Sequence, residues 1–334
     1  MSILIIFVAM RRLSILAIAT AAALAFPAAA QDSKPQGQWA VTATSSNNLR
    51  VAPDYESSLE SQTLMGSILS CTGARERYWV ELSATAPAYT NVWTTDLTLA
   101  FMDDKAIIDY IKADKYICTA EYSHVYESPS TMSEVICDLV MGDLLRKVYN
   151  DKGSIDRYIR FAKVQLPDGR TGYAKFSDIL DFRDWTEKCV PEAKNIIATT
   201  KKFLGTPYLW GGNTVKGMDC SGLVWMSFYM NGVLLPRNAD EMARCGESVA
   251  MDALQPGDLI FFGNSPEGPI SHIGIYLGDH KIIHSSQLVR INSLAADDKD
   301  YYKKDIICAR RISGHYDDGS GAVRLINSPW FFRQ

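Results

Sequence analysis

One cysteine in the chain has neighbours suited to a nucleophile. Cys220 lies in the hexapeptide GMDCSG, ahead of the run LVWMSFYMNG, whose apolar residues recur at helical spacing up to Gly232. The pattern predicts a helix that begins at the cysteine, with Asp219 as its N-cap. The positive end of a helix favours a thiolate over a thiol, which suits a catalytic nucleophile. A buried cysteine beside a helix cap is the alternative interpretation.

Two of the five histidines lie on adjacent predicted strands downstream of this cysteine. The segment SHIGIYLGDHKIIHSS at 271–286 reads as two strands around a Gly-Asp turn, which brings His284 near His272. A Cys–His pair needs a third group that orients the base, and His272 as base with His284 as orienting residue meets that need. A Cys-His-His zinc site is the competing chemistry, although its spacing matches no usual ligand pattern. Two purely structural histidines are the third interpretation.

Asp219 opposes the effect of the helix end on the thiol. A carboxylate beside a thiolate raises the pKa of the cysteine. The penalty disappears if a cation neutralises Asp219, and the free ammonium of a substrate would serve. We therefore expect Asp219 to take part in substrate binding as well as in capping.

The ends and the charge of the chain narrow the class of protein. The 334 residues suffice for two or three domains, and a net charge of −4 without a basic stripe gives no basis for nucleic-acid binding. Arg11 and Arg12 precede a short apolar stretch and the sequence PAAAQD, which predicts a signal peptide over 1–30 and translation from Met10. We expect a periplasmic or secreted monomer that has no cofactor and no stable membrane insertion after signal cleavage.

A repeat occupies the first half of the chain. The segments LRVAPDYESSLESQTLMG at 49–66 and VYESPSTMSEVICDLVMG at 125–142 each place a proline 13 residues before the glycine of a closing Met-Gly. Short segments punctuated by Gly and Pro predict two small β-barrels, over 38–102 and 116–183, joined by a helix over 103–115. From 184 to 334 the pattern changes to helices followed by strands, so the predicted fold class is α+β.

The second half resembles the NlpC/p60 family of cysteine peptidases. The resemblance rests on PYLWGG, on MDCSGLV, whose Cys220 lies twelve residues after Tyr208, and on PGDLIFF, SHIGIYLG and IIHSS, in that order. It implies a papain-like domain over 184–334 that hydrolyses peptidoglycan stem peptides between D-glutamate and the following diamino acid. Carried onto this sequence, Cys220 is the nucleophile, His272 the base and His284 the third member. Tyr208 matches a tyrosine that helps to position the tetrahedral intermediate.

The first half resembles a branch of that family with two bacterial SH3-like domains. Members of the branch release L-Ala-D-Glu from free stem peptides, so the implied partner is a stem peptide with an unblocked L-alanine. The first SH3-like domain is then implied to lend Glu60 and Tyr89 to the active site. Asp219 and Ser221, which flank the nucleophile, match further substrate-binding positions, and Arg237 is retained as a residue that holds the glutamyl carboxylate.

The segment LPRNADEM at 235–242 departs from the family pattern. Asn238, Ala239 and Met242 stand where the family usually shows aspartate or serine followed by glutamine, so the resemblance leaves open which groups besides Arg237 hold the glutamyl carboxylate. Two other functions stay open. One is an endopeptidase that cuts intact wall with its SH3-like domains as anchors. The other is a non-catalytic wall-binding protein, against which the complete set of catalytic residues argues.

Overall fold

The computed structural model describes residues 38–154 and 156–332. The signal peptide predicted over 1–30 lies outside this described part. Within the described part, no helix is long and apolar enough to cross a membrane. Its strands form three large antiparallel sheets, two from the first half of the chain and one from the second.

The first sheet is built from residues 39–102. On its fifth strand Val80, Leu82 and Ala84 alternate into the core, where they meet Leu49 and Leu69. The strands are β1 (Trp39–Thr42), β2 (Ser46–Arg50), β3 (Leu59–Leu64), β4 (Ile68–Glu76), β5 (Trp79–Thr85), β6 (Ala88–Thr95) and β7 (Leu99–Met102). They pair in the order β3-β2-β6-β5-β4-β1-β7.

A single short helix leads from the first sheet to the second. Helix α1 (Asp104–Lys112) lies inside the segment predicted to be helical, and Asp103 caps it by accepting a hydrogen bond from Ala106 N at 2.7 Å. It buries an apolar face that includes Ile107 and Ile111.

The second sheet repeats the topology of the first. Its strands are β8 (Lys115–Cys118), β9 (Tyr122–Tyr126), β10 (Val135–Val140), β11 (Leu144–Lys147), β12 (Arg157–Tyr158), β13 (Phe161–Gln165), β14 (Thr171–Lys175) and β15 (Ile179–Asp181). They pair in the order β10-β9-β14-β13-β11-β8-β15, with β12 beside β13. If β12 is left out, the seven remaining strands pair in the same relative order as the seven strands of the first sheet. The repeated sequence therefore corresponds to a repeated fold. Both sheets are open at their ends, and the closed barrels expected from the sequence are not confirmed.

The two Met-Gly turns of the repeat lie against each other. Gly66 and Gly142 have φ angles of +90° and +96°, which glycine adopts without steric penalty. Leu144 N donates to Met65 O at 2.9 Å, and Met65 N donates to the buried carboxylate of Asp143 at 2.9 Å. The repeated turns therefore form the contact between the sheets.

The second half of the chain contains the third sheet and most of the helices. The helices are α2 (Phe182–Lys188), α3 (Ala193–Lys202), α4 (Cys220–Tyr229) and α5 (Ala239–Met242). The short strands are β16 (Asn213–Thr214), β17 (Gly217–Met218) and β18 (Val233–Leu234). The longer run is β19 (Glu247–Ser248), β20 (Leu259–Gly263), β21 (His272–Gly278), β22 (Lys281–Ser286), β23 (Leu288–Ser293) and β24 (Asp305–Arg311), followed by β25 (Val323–Arg324). Turns of 3-10 helix lie at Asp96–Thr98, Met251–Ala253 and Leu325–Asn327.

Helix α4 is the centre of this half. The third sheet has the order β19-β24-β20-β21-β22-β23, and α4 packs against β21 and β22. Every residue of α4 is buried, which agrees with a run that is apolar on all sides. The C-terminal tail closes the fold, because β25 pairs with β18 and the ring of Phe332 stacks on Phe182 at 5.0 Å.

Replacing Gly142 by alanine should destabilise the protein more than the same change at an open turn. Gly142 and Gly169 have φ angles of +96° and +92°, so both substitutions carry similar backbone strain. A Cβ at Gly142 would lie 2.7 Å from Leu64 Cδ1 and 3.0 Å from Tyr229 Cε1, whereas a Cβ at Gly169 meets nothing within 4 Å. In chemical denaturation, we expect Gly142→Ala to lower the free energy of unfolding by about 1–3 kcal/mol more than Gly169→Ala. Equal losses would contradict close docking at this turn.

Candidate active site

Cys220 is the first residue of helix α4, as the sequence predicts. Asp219 is the N-cap, and its Oδ1 accepts a hydrogen bond from Gly222 N at 2.6 Å. The cysteine is 9% exposed, and its helix packs against β21. The nucleophile is therefore held between the start of the helix and the strand that carries His272.

Burial keeps this thiol protonated. The pKa of Cys220 is raised to about 11, first because burial disfavours the thiolate and second because of the negative charge of Asp219. The N–H of Ile273 and the charge of Arg237 act in the opposite direction and do not cancel the rise. The helix end alone therefore does not produce a thiolate, and the cysteine depends on a base.

A chain of hydrogen bonds runs behind that base. The strand register pairs Ile275 with Ile283, which sets His284 diagonal to His272. His272 Nε2 and His284 Nδ1 are 2.7 Å apart, and His284 Nε2 lies 2.9 Å from Asn292 Oδ1 on β23. The side chains of His272, His284 and Asn292 are all buried, so the hydrogen bonds that join them are shielded from water.

The amide of Asn292 determines which ring nitrogens of His284 and His272 carry a proton. Its amide nitrogen donates to the carbonyl of Asp300 at 2.6 Å, and its Oδ1 also accepts from Arg290 Nε at 2.8 Å, so the oxygen faces His284. An amide oxygen only accepts, so His284 carries its proton on Nε2 and offers a lone pair at Nδ1. His272 then carries a proton on Nε2, which leaves its Nδ1 as the basic nitrogen.

Both histidines are neutral at neutral pH. Burial, followed by the charges of His284 and Lys304, lowers the pKa of His272 to about 3. Burial also lowers the pKa of His284 to about 4. Because His272 Nε2 and His284 Nδ1 bond each other, these atoms are not free to bind one zinc ion together. In the described residues, no group of three or more His, Cys, Asp and Glu side chains is placed to hold a metal ion.

Asp219 is paired with a buried arginine. Arg237 Nη1 donates to Asp219 Oδ1 at 3.0 Å and Nη2 donates to Oδ2 at 2.7 Å, which makes a bidentate ion pair. The arginine is 1% exposed. Its further donations, at 2.8, 3.1 and 3.4 Å, go to Ser221 Oγ, Ser61 Oγ and Gly212 O.

This ion pair revises two expectations from the sequence. A substrate ammonium was expected to neutralise Asp219, whereas the structure supplies Arg237 as the cation. Arg237 was expected to hold a substrate carboxylate, whereas its guanidinium is buried and bonded to groups of the chain itself. The physical reason is that a buried carboxylate needs a partner in the fold, and a guanidinium supplies two aligned donors.

The first sheet is fixed against the nucleophile. Ser61 on β3 accepts a hydrogen bond from Arg237. Its neighbour Gln62 accepts from Asn213 N at 3.1 Å through the side chain and from Asn213 Nδ2 at 3.0 Å through the backbone carbonyl. Gly211 approaches the same strand so closely that a Cβ there would lie 2.7 Å from Leu59 O. These contacts bring β3 to the edge of the catalytic centre.

An open cavity of about 180 Å³ lies beside Cys220 and is lined by both halves of the chain. Glu60 on β3 contributes a carboxylate, and Tyr89 Oη donates to its Oε2 at 2.6 Å. Tyr208 lines the cavity near the thiol, and burial is the main cause that raises its pKa. The other lining residues are Trp210, Asp219, Ser221, Asn238, Ala239, Asp240, Ile270 and Ser271.

The structure therefore brings most of the predicted site residues to one place. Helix α4, which begins at Cys220, packs against the strands that carry His272 and His284. Arg237 bonds Asp219 and Ser221, which line the cavity. Asn292 and Tyr302 carry no recognised motif, yet the ring of Tyr302 lies 5.2 Å from that of His272 and 4.5 Å from that of His284. Only the register of the β22–β23 hairpin, which sets Asn292 diagonal to His284, would have indicated the amide from sequence.

Comparison with known proteins gives a family for the second half. The sequence profile of the NlpC/P60 family matches residues 205–311. Two relatives are named gamma-D-glutamyl-L-lysine dipeptidyl-peptidase. The one from Bacillus subtilis strain 168 is 38% identical over 36% of this chain and 40% of its own length. The one from Bacillus cereus is 33% identical over 45% of this chain and 45% of its own length. This chain therefore spans less than half the length of either relative.

Two further comparisons extend into the first half. The dipeptidyl-peptidase 6 of Lysinibacillus sphaericus is 27% identical over 78% of this chain and 92% of its own length. The crystal structure of an NlpC/P60 family protein from Bacillus cereus ATCC 10987 covers 82% of this chain and 99% of that chain, with a TM-score of 0.70 and 23% identity. At this identity the likeness shows a shared fold alone, and that fold extends beyond residues 205–311.

Alkylation of Cys220 should show a neutral thiol in the free enzyme. Because its pKa is raised to about 11 and that of His272 is lowered to about 3, proton transfer between them is unfavourable before substrate binds. We expect the rate of reaction with iodoacetamide to rise steadily between about pH 6 and 9. Mass spectrometry of the peptide that contains Cys220 separates this signal from the other cysteines. A flat rate from about pH 5 to 8 would contradict this expectation, because it would indicate a preformed thiolate–imidazolium pair.

Proposed function

Because residues 205–311 form an NlpC/P60 domain, we propose that the protein is a cysteine peptidase of peptidoglycan stem peptides. It hydrolyses the bond between γ-D-glutamate and the following diamino acid when the first L-alanine has a free amine, and it releases L-Ala-D-Glu. The observation that carries the proposal is that Glu60 of the first sheet lines the same cavity as Cys220. The names of the two gamma-D-glutamyl-L-lysine dipeptidyl-peptidases support the same type of bond.

The proposed reaction begins with transfer of a proton from Cys220 to Nδ1 of His272, as the sulfur attacks the scissile carbonyl. The resulting imidazolium donates from Nε2 to the lone pair of His284 Nδ1. Asn292 keeps His284 in the tautomer that can accept this hydrogen bond. The same His272 proton then goes to the leaving amine, and water hydrolyses the acyl-enzyme.

Two groups are suited to hold the oxyanion. The backbone N–H of Cys220 is the first of helix α4 and has no acceptor inside the helix. The phenol of Tyr208 stays protonated because its pKa is raised by burial and by the nearby Cys220 and Asp219. We assign both as donors to the oxygen of the tetrahedral intermediate.

Glu60 is the group that we assign to the substrate amine. Asp219 is already neutralised by Arg237, and Asp240 pairs with Arg244 at 3.3 Å, whereas Glu60 bonds the neutral phenol of Tyr89. A desolvated ammonium needs an anionic partner, which Glu60 supplies. In intact wall the first alanine is acylated, so this carboxylate would lose its partner and wall-bound stems would be poor substrates.

Export remains part of the proposal and rests on sequence alone. The apolar stretch after Arg11 and Arg12 predicts a cleaved leader over 1–30. A periplasmic or secreted location would bring the enzyme to stem peptides that an amidase has already released from the glycan.

The free amine should dominate substrate choice. We compare kcat/KM for L-Ala-γ-D-Glu-diamino acid with that for its N-acetylated form. Losing one buried charged contact costs about 2–5 kcal/mol, so we expect a preference of about 30-fold or more for the free amine. Glu60→Gln should reduce that preference at least about tenfold, because the amide lacks the charge.

Glu56→Gln is the matched control, since Glu56 belongs to the same sheet region and is exposed. It should leave the preference unchanged. Equal rates on the free and acetylated peptides in the wild type would favour the endopeptidase of intact wall. Absence of turnover on both peptides, with Cys220 still open to alkylation, would remove the proposed substrate class.

A further inference from the structure

A lysine beside the catalytic base has no ion-pair partner among the described residues. Lys304 lies immediately before β24 and is half-buried. Its Nζ donates to Ser271 Oγ at 3.0 Å, and no carboxylate of the described chain lies within ion-pair distance of it. Its charge is also felt by His272, whose pKa it helps to lower. The ammonium therefore lies close to the catalytic base.

The same lysine reaches the wall of the active-site cavity. Ser271, its hydrogen-bond partner, lines the cavity and directly precedes His272 in the chain. The segment before Lys304 is fixed, because Asp300 O accepts from Asn292 Nδ2 at 2.6 Å and Tyr302 N donates to Ser293 O at 2.8 Å. The position of the ammonium is thus set by the segment that also orders the catalytic histidines.

The direction of the substrate follows from the roles of Glu60 and His272. Glu60 takes the amine of the first residue, and His272 protonates the nitrogen that leaves with the third residue. The third residue therefore lies on the His272 side of the cavity, where Ser271 forms the wall. Lys304 faces the part of the substrate that follows the scissile bond.

We propose that Ser271 and Lys304 form a subsite for the side-chain carboxylate of the third residue, so that diaminopimelate is preferred to lysine at that position. The inference rests on the proposed function. An ammonium and a hydroxyl together supply donors that suit a carboxylate. The side chain of diaminopimelate ends in a carboxylate and an ammonium, and the carboxylate is the group that Lys304 and Ser271 would bind. Lysine offers only an ammonium, which Lys304 repels.

The test compares two tripeptides that differ only in the third residue. Both begin L-Ala-γ-D-Glu, one ends in meso-diaminopimelate and the other in L-lysine. The measured quantity is the ratio of their kcat/KM values in one enzyme, so any effect of Lys304 on His272 cancels. The enzymes are the wild type, Lys304→Gln, Lys304→Arg and, as a control, Lys303→Gln, since Lys303 is the exposed neighbour.

We expect the wild type to prefer diaminopimelate by about five- to fifty-fold, the range for one charge-assisted contact at a half-buried site. Lys304→Gln should bring the ratio near one, Lys304→Arg should keep most of it, and Lys303→Gln should not change it. If Lys304→Gln folds poorly, the ratio in Lys304→Arg and inhibition of the wild type by free diaminopimelate against free lysine decide the question.

Three results would overturn the inference. One is a wild-type ratio at or below one, and another is a ratio that survives in Lys304→Gln. The third is an equal loss on both peptides in Lys304→Gln, which would assign Lys304 to the α-carboxylate that both peptides share. Each of these three results is compatible with the proposed function, because the enzyme cleaves both peptides. Failure of the wild type to cleave either peptide would instead remove the proposed function together with this inference.

Discussion

A buried arginine is the interaction on which the rest of the site depends. Arg237 is 1% exposed, and a guanidinium without partners at that depth would destabilise the fold by several kcal/mol. It is stable there because its donors meet both carboxylate oxygens of Asp219, the hydroxyls of Ser61 and Ser221, and the carbonyl of Gly212. These acceptors come from the first sheet, the loop before the nucleophile and the start of helix α4. One residue therefore joins the three parts that meet at the cavity.

The same ion pair sets the charges that a substrate meets. With Asp219 committed to Arg237, Glu60 is left with a neutral phenol as its side-chain partner and can accept a cation. The thiol and both histidines are neutral because burial dominates their pKa values, so reactivity comes from the ordered chain of Asn292 and the two rings. The described residues all belong to one compact unit, which agrees with a first sheet that is part of the active site and is not a detachable anchor.

Short sequence patterns correctly predicted the features that depend on residues close together in the chain. The helix start at Cys220 follows from a capping residue and an apolar run, and the nearness of His272 and His284 follows from hairpin register. The repeated Met-Gly turns indicated two related sheets, but closure of each sheet depends on strand pairing that no turn signal reveals. The partner of Asp219 was also out of reach, because Arg237 belongs to a separate loop and the sequence does not show which charge a fold buries against which. The position of Glu60 was suggested by family resemblance alone.

The most direct test is a crystal structure of Cys220→Ala with L-Ala-γ-D-Glu-diamino acid bound. We predict that the substrate ammonium lies about 3 Å from the carboxylate of Glu60. We also predict that the bidentate pair of Asp219 and Arg237 stays intact when the peptide binds. A complex in which Arg237 leaves Asp219 to bind the glutamyl carboxylate, and the ammonium bonds Asp219 while Glu60 stays free, would contradict both predictions.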